Sequence, residues 1–238
     1  MQPAFLITSA INTKFGVFNT EQRIQQTINT IDSIKARVPN AWIYLVEMAG
    51  IPLQPAQQEL IQPHVKSVID FSKDPVVQEI YKNENWDIVK NFTEMYCFRY
   101  ALAALQKMES TKDIDRIFKM SGRYLLNDNF KISKYLQPGL DRKIVVAMTR
   151  KSQFPKEVTG GLDRQYMSRC WSFDATLIAE IELVYGQMLA FMDQRLRAGG
   201  YVDIEHCLYK FLPTEKVIEE EVIGVQGLLG PNGTLVKD

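Results

Sequence analysis

The chain is poor in the residues that build disulfide or metal scaffolds. Its 238 residues include three cysteines and two histidines, and no two cysteines have the CxxC spacing of a zinc site. The cysteine count is odd and the spacing is wide, so a disulfide framework is not indicated. We therefore expect Cys97, Cys170 and Cys207 to be reduced, as is usual inside the cell.

Charge of one sign and long apolar runs are also missing. The chain carries 28 basic and 28 acidic side chains, so it lacks the broad positive field on which non-specific nucleic-acid binding relies. No run approaches the roughly 18 apolar residues of a membrane span, and no basic segment precedes the short apolar run at the N-terminus. We expect a cytoplasmic protein with no nucleic-acid partner and no transmembrane segment.

Several nucleotide-binding and hydrolase motifs are absent. The sequence contains no GxxxxGK[ST] P-loop, no GxGxxG after its first predicted strand and no GxSxG nucleophile elbow. These absences argue against P-loop NTPases, dinucleotide-binding dehydrogenases and α/β hydrolases.

What is present is an alternation of apolar strands and amphipathic helices. Periodicity predicts strands over residues 4–10, 41–48, 65–71, 114–126, 143–149 and 166–173, and helices over 19–38, 54–61, 87–107, 177–197 and 202–212. Asn19 and Gln22 have the spacing of a capping box. The longest predicted loop is 150–165, and residues 230–233 predict a hairpin turn between 222–229 and 234–236. The initial strand–helix alternation favours a mostly parallel sheet in a single α/β domain.

Polar residues follow the first two predicted strands, at the edge where open α/β sheets bind ligands. Ser9 closes the first strand and Glu47 closes the second. Arg23 lies near the start of the intervening helix, where the helix dipole does not favour a cation. The three residues predict a site for an anion or a nucleoside. A solvated arginine and a carboxylate with a buried partner are the alternatives.

The segment Lys119-Met120-Ser121-Gly122-Arg123 gives the strongest signal. Alternate residues of a strand share a face, so the sequence predicts that Lys119, Ser121 and Arg123 point the same way. Two cations and a hydroxyl in the middle of a sheet suit a diphosphate. The alternative is an edge strand with a solvated polar face.

Two helical segments supply further candidates. Lys90, Asn91 and Glu94 lie within one turn of a predicted helix and can form one polar patch, although an ordinary solvated face explains them nearly as well. Glu205 and His206 flank the apolar face of a later helix. A carboxylate beside an imidazole can act as a general base or as a metal ligand.

Together these segments resemble GT-A-type glycosyltransferases of the small kind found in bacterial and phage surface-polysaccharide clusters. The resemblance runs in order from about residue 4 to 228, and KMSGRYLL is its most specific part; the other segments are FLITSAI, the helix that contains Arg23, KNFTEMYCFRYAL, YMSRCWSF and IEHCLYKFL. It implies a Rossmann-like sheet flanked by helices, with a nucleotide-sugar-binding half over about 1–130 and an acceptor-binding half over about 131–238.

The resemblance also implies an activity, namely transfer of a hexosyl unit from a nucleotide sugar, preferably a UDP-sugar, to a glycan or other hydroxyl acceptor. Glu205 is implied as the catalytic base, with Asp163 and Asp174 as rivals. The implied donor-binding residues are Ser9, Arg23, Glu47, Lys90, Asn91, Lys119, Ser121 and Arg123.

The chain departs from the family at the metal motif, because Ser121-Gly122-Arg123 stands where most GT-A enzymes carry Asp-X-Asp. In one alternative, Lys119 and Arg123 neutralise the diphosphate directly. In the other, Mn²⁺ or Mg²⁺ is held by other groups, such as Asp128, Glu205 or His206. A late histidine can ligate the metal in this fold, so the resemblance leans towards a metal with His206 as a ligand.

Other functions remain open on the sequence. A sugar nucleotidyltransferase shares the fold but usually has a glycine-rich basic loop after the first strand, and SAINTKFGVF is a poor version of it. A non-catalytic nucleotide- or carbohydrate-binding module is favoured by the missing carboxylates. A purely structural protein is disfavoured by the cationic face of a central strand.

Overall fold

A computed structural model of the protein describes residues 1–108, 112–229 and 233–237. Its strands are β1 (Pro3–Ser9), β2 (Trp42–Glu47), β3 (Ser67–Asp70), β4 (Arg116–Ser121), β5 (Tyr124–Leu126), β6 (Ile144–Ala147), β7 (Arg150–Lys151), β8 (Arg164–Gln165), β9 (Cys170–Asp174), β10 (Val217–Glu220), β11 (Val225–Leu228) and β12 (Leu235–Lys237). Its helices are α1 (Thr20–Arg37), α2 (Pro55–Ile61), α3 (Pro75–Ile80), α4 (Trp86–Gln106), α5 (Lys156–Thr159), α6 (Ile178–Arg197) and α7 (Ile204–Phe211).

Seven strands form the central sheet in the order β10-β6-β9-β4-β1-β2-β3. β1 pairs in parallel with β2 and β4, β2 pairs in parallel with β3, and β6 pairs in parallel with β10. β9 runs antiparallel to both of its neighbours. The predicted mostly parallel sheet, flanked by helices in a single domain, is confirmed.

The sheet is buried on both faces. Successive residues of β1 alternate between two cores: Leu6 joins the core that contains α4 and α6, and Phe5 joins the core that contains α1. All seven residues of β1 are buried, as expected for a central parallel strand. α1 begins with the predicted capping box, in which Asn19 and Gln22 exchange hydrogen bonds of 2.9 Å.

The prediction of one strand over 114–126 is wrong. The strand ends at Ser121, and the N–H of Gly122 donates to the Thr8 carbonyl at 2.9 Å. A Cβ on Gly122 would lie 3.2 Å from that carbonyl oxygen and 3.3 Å from Cγ2 of Ile7. A side chain here would be tight, because these neighbours would have to move by a few tenths of an ångström. Residues 124–126 then form β5 in a second sheet, β12-β11-β5, so Arg123 does not continue the face of β4.

Other departures lie in short elements. β10 and α3 were not predicted, and the predicted loop 150–165 contains a small hairpin, β7–β8, with α5 between its strands. β11 and β12 pair antiparallel as expected, while residues 230–232 of the predicted turn lie outside the described residues.

Helix α6 meets the length and composition criteria for a membrane span, contrary to the expectation from the sequence. Within the described residues it is the one such segment, Ala175–Arg197. Of the apolar window, 33% is buried. Ile181, Tyr185 and Met188 on α6 are fully buried in the core shared with α4.

Candidate functional site

A cavity of about 320 Å³ opens at the carboxyl ends of β1 and β4. The strand register places Thr8 opposite Ser121 at this edge. Among the described residues, the charged side chains that line it are Arg23, Lys90, Glu94 and Arg123. Its other polar or aromatic lining residues are Thr8, Thr13, Phe15, Tyr81, Trp86, Thr93 and Ser121. Such a cavity can take a polar, anionic ligand that has a flat ring.

The predicted donor-site residues divide into two groups. Arg23, Lys90, Ser121 and Arg123 line the cavity. The other four lie outside its lining: Ser9, Glu47, Asn91 and Lys119.

Ser9 and Glu47 bond to each other behind the cavity. The Ser9 hydroxyl donates to Oε2 of Glu47 at 2.5 Å. The backbone N–H groups of Ile11 and Ala49 donate to Oε1 at 3.0 and 3.2 Å. Burial raises the pKa of Glu47 to about 7, although these three hydrogen bonds oppose the shift. The pair therefore joins the ends of β1 and β2, and both carboxylate oxygens have protein partners.

Arg23 organises the loop between β1 and α1. Its Nε donates to the Phe18 carbonyl at 3.1 Å, and its two terminal nitrogens donate to the carbonyls of Ala10 and Phe15 at 3.3 and 3.0 Å. Burial, assisted by the nearby charge of Arg123, lowers the pKa of Arg23 to about 10. Arg23 thus contributes charge to the cavity while its hydrogen bonds hold the loop.

Replacing Arg23 by methionine should destabilise the protein by about 2 kcal/mol, because three loop carbonyls lose a charged donor. Urea denaturation at pH 7 would measure this loss. Arg23→Lys keeps the charge and should recover only part of the stability, since an ammonium cannot reach three divergent carbonyls. An unchanged unfolding midpoint in Arg23→Met would contradict the assigned role.

Lys119 is fully buried and forms an ion pair with Glu94. Its Nζ lies 2.5 Å from Oε1 of Glu94 and also donates to the Ser121 hydroxyl at 2.9 Å and the Ser168 carbonyl at 2.7 Å. An ammonium has three donors, so this one is saturated by the protein. Burial alone would raise the pKa of Glu94, but the charge of Lys119, with smaller contributions from Lys90 and Arg123, holds it below the ordinary value.

Lys90 and Arg123 differ from Lys119 in having no such partners. Neither the Nζ of Lys90 nor the guanidinium of Arg123 forms a hydrogen bond or an ion pair with the described residues, and the Nε of Arg123 is buried without a partner. Desolvation lowers the pKa of Lys90, but the negative charges of Glu205 and Glu94 raise it above the ordinary value overall. Lys90 is therefore cationic at neutral pH.

Asn91 is turned away from the cavity. Its Nδ2 donates to the Asp87 carbonyl and to the Tyr201 hydroxyl, both at 2.8 Å. Its Oδ1 accepts from the backbone N–H of Ile204 at 3.2 Å. The side chain therefore ties α4 to the start of α7.

Glu205, the predicted base, lies on α7 outside the cavity lining. Its Oε1 accepts from the Ser168 hydroxyl at 2.5 Å. Burial and the nearby charge of Asp203 raise its pKa, while Lys90 opposes the shift. A carboxylate with a raised pKa is suited to accepting a proton. The role of Glu205 as catalytic base stays a prediction.

The two rival bases are placed differently. Asp163 pairs with Lys156 at 2.8 Å on the β7–β8 hairpin. Asp174 lies opposite Arg116, the first residue of β4, and so at the other edge of the sheet from Ser121.

The donor set does not fit a resident divalent cation. His206 is fully buried, and its Nδ1 and Nε2 lie 2.6 Å from Oδ1 of Asp203 and 2.8 Å from the Ser152 hydroxyl. Asp128 pairs with Arg37 at the surface. No group of three His, Cys, Asp or Glu side chains that could hold a metal occurs in the described part of the chain. His206 as a metal ligand is therefore not supported, because both ring nitrogens already have protein partners.

Sequence reasoning underrated Glu94, Tyr81 and Trp86. Glu94 lies four residues after Lys90, a spacing that puts both on one helix face, and this was the available signal. Tyr81 directly follows α3 and Trp86 is the first residue of α4. No local pattern in the sequence shows that these two side chains line a cavity at the sheet edge.

Comparison with known proteins supports the fold. Neither a family model nor a curated protein matches the chain. Among solved structures, an active-site mutant of LgtC is similar over 92% of this chain and 72% of its own, with 10% identity and a TM-score of 0.53. The galactosyltransferase LgtC in complex with donor and acceptor sugar analogues is similar over 92% and 73%, with 9% identity and a TM-score of 0.51. At these identities the likeness concerns architecture, and this chain has the GT-A-like fold that the resemblance implied.

Proposed function

We propose that the protein is a glycosyltransferase that moves a hexosyl unit from a nucleotide sugar, preferably a UDP-sugar, to a hydroxyl of a glycan or similar acceptor. The observation that carries the proposal is the cationic, aromatic-lined cavity at the carboxyl edge of a GT-A-like sheet. Support comes from the similar structure of LgtC, which was solved with donor and acceptor sugar analogues.

The lining residues suit a nucleotide sugar. Phe15 and Trp86 offer ring faces on which a base or a sugar can stack, and Lys90 and Arg123 offer donors to phosphate oxygens. Acceptor binding is assigned to residues 131–238, where a second cavity of about 540 Å³ is lined by residues of the β7–β8 hairpin, Lys151 and Arg164 among them. Glu205 is the proposed base for the acceptor hydroxyl.

A non-catalytic binding module is the competing function, and the replacement of Asp-X-Asp by Ser121-Gly122-Arg123 is the observation that favours it. Water can take the place of the acceptor hydroxyl, and an active transferase then releases the free sugar. Release of free sugar from a nucleotide sugar, lost in Lys90→Ala/Arg123→Ala, would identify an enzyme. Donor binding with no release over days would identify a module.

A thermal-shift screen tests the proposal. UDP, GDP, CMP, ADP and TDP are each added with manganese, magnesium or EDTA, and we expect UDP to give the largest rise in melting temperature. A ligand at about 100 times its Kd stabilises the folded state by about 2.7 kcal/mol, which such a screen detects readily.

The two remaining outcomes of the screen are distinct. A larger shift with another nucleotide would keep the transferase proposal and change the donor class. No shift with any of the five would contradict a nucleotide-sugar transferase.

A further inference from the structure

We propose that Lys90 and Arg123 form a metal-independent diphosphate site, which neutralises the departing nucleoside diphosphate with the chain's own cations. This inference rests on the proposed function. It differs from the metal-assisted transfer favoured by the resemblance and from the sequence-based pairing of Arg123 with Lys119.

The first argument is the contrast between the four cations around the cavity. Lys119 donates to three oxygen atoms of the protein, and Arg23 donates to three carbonyls. Lys90 and Arg123 line the same cavity and have no protein partner among the described residues. The buried Nε of Arg123 has no acceptor, which is costly unless a ligand supplies one. The side chain of Lys90 is exposed, so its ammonium is open to a ligand that enters the cavity. Lys90 and Arg123 are therefore the two lining cations whose donors are available to an anion.

The second argument is the charge balance of the cavity. Glu94 is the single carboxylate among the described lining residues, and its charge is matched by Lys119 at 2.5 Å. The remaining lining charges are therefore positive. The charges of Lys90 and Arg123 both act on Glu94, so the two side chains lie around the same carboxylate. An anion with several oxygens, such as a diphosphate, can bridge an ammonium and a guanidinium placed in this way.

The third argument is the chemistry of the strand end. Ser121 and Arg123 flank Gly122, whose N–H is already bonded to the Thr8 carbonyl. A hydroxyl and a guanidinium are donors to phosphate, whereas a divalent cation prefers carboxylate oxygens. Carboxylate donors are not gathered here in the described part of the chain.

The transfer step then proceeds without a metal. The bond between the anomeric carbon and the β-phosphate oxygen breaks, and its electron pair stays on that oxygen. The acceptor oxygen forms the new bond to the anomeric carbon, and the hydroxyl proton passes to a carboxylate, for which Glu205 is proposed. The products are the glycoside and the nucleoside diphosphate, whose added negative charge faces Lys90 and Arg123.

Calorimetric titration with nucleoside diphosphates and monophosphates tests the inference. UDP, UMP, GDP and GMP are titrated in EDTA and in manganese. We expect the preferred diphosphate to bind at least about tenfold more tightly than its monophosphate in EDTA, and manganese to change this ratio less than about threefold.

Variants show which residues produce the preference for the diphosphate over the monophosphate. Lys90→Ala and Arg123→Ala should each weaken diphosphate binding more than monophosphate binding, and so reduce the preference for the diphosphate to about threefold or less. Arg123→Lys should recover part of the diphosphate preference, because lysine keeps the positive charge but lacks the planar, bidentate guanidinium. Lys107→Ala, which removes an exposed lysine at the end of the same helix as Lys90, should leave the preference unchanged.

The outcomes separate the inference from the proposed function. A diphosphate preference that appears only with manganese, or that survives in Arg123→Ala and Lys90→Ala, overturns the metal-independent site and leaves the transferase proposal intact. If none of these four nucleotides binds and none of the five in the thermal-shift screen gives a shift, the inference is overturned and the proposed function is contradicted as well.

Discussion

Replacing Lys119 by methionine should lower the free energy of unfolding by about 3 to 5 kcal/mol, the usual result of removing one partner from a buried ion pair. Lys119 is fully buried and Glu94 is 5% exposed, so water cannot replace the lost ammonium. The Ser168 carbonyl also loses a 2.7 Å donor. Urea denaturation at pH 7 measures the effect.

A double substitution shows whether the loss of stability comes from the unpaired, buried carboxylate of Glu94. Lys119→Met/Glu94→Gln removes both charges and should recover most of the lost stability, because a neutral amide is far cheaper to bury than an unpaired carboxylate. Lys73→Met makes the same chemical change at an exposed lysine and should alter stability by less than about 0.5 kcal/mol.

The effect should also depend on pH. Lys119 holds the pKa of Glu94 below its ordinary value of 4.5, so the pair stabilises the folded state above that value and is lost as the pH falls. The difference between wild type and Lys119→Met should therefore narrow in acid. A pH-independent difference, or a loss of less than about 1 kcal/mol at pH 7, would show that the pair is screened by solvent.

The elements that sequence predicts well are those fixed by local rules. The mostly apolar run of β1 and the Asn19–Gln22 capping box of α1 carry their signals within a few residues. The end of β4 depends instead on the Thr8 carbonyl, which lies more than a hundred residues earlier in the chain. β10, with the sequence VIEE, becomes a strand because it pairs with β6, and its own pattern is too short to show this.

The candidate site shows the same limit in its charges. The sequence alone does not distinguish Lys90 from Lys119, since either lysine can bind a phosphate. Tertiary contacts make them different: Lys119 is neutralised by Glu94, while Lys90 keeps its donors free among the described residues. Residue type and spacing can thus predict that a site is cationic. Which cation is available depends on partners brought together by the fold.

Replacing Glu47 by glutamine should make the protein progressively more stable than wild type as the pH rises. Burial raises the folded pKa of Glu47 from 4.5 to about 7, so the folded state favours the protonated carboxyl. The stability from this group is complete below the unfolded pKa of 4.5 and is lost as the pH rises through about 7. The wild type should therefore lose about 3 kcal/mol relative to Glu47→Gln between about pH 4 and pH 8.

The geometry accommodates the amide. Its oxygen can accept from the backbone N–H groups of Ile11 and Ala49, and its nitrogen can donate to the Ser9 hydroxyl. Glu59→Gln, at an exposed position on α2, should follow the wild-type pH profile to within about 0.5 kcal/mol. Denaturation curves collected at several pH values supply the comparison, and parallel profiles for wild type and Glu47→Gln would contradict a raised pKa.

The same variant decides between two roles for Glu47. The resemblance implies contact with the nucleoside, whereas both oxygens are bonded to Ser9, Ile11 and Ala49 behind the cavity. If Glu47 only joins the ends of β1 and β2, Glu47→Gln should bind the preferred nucleotide within about twofold of wild type. A loss of nucleotide affinity of tenfold or more, about 1.4 kcal/mol, would instead indicate that Glu47 contacts the nucleoside. The amide keeps the internal hydrogen bonds, so such a loss would come from the changed group that faces the ligand.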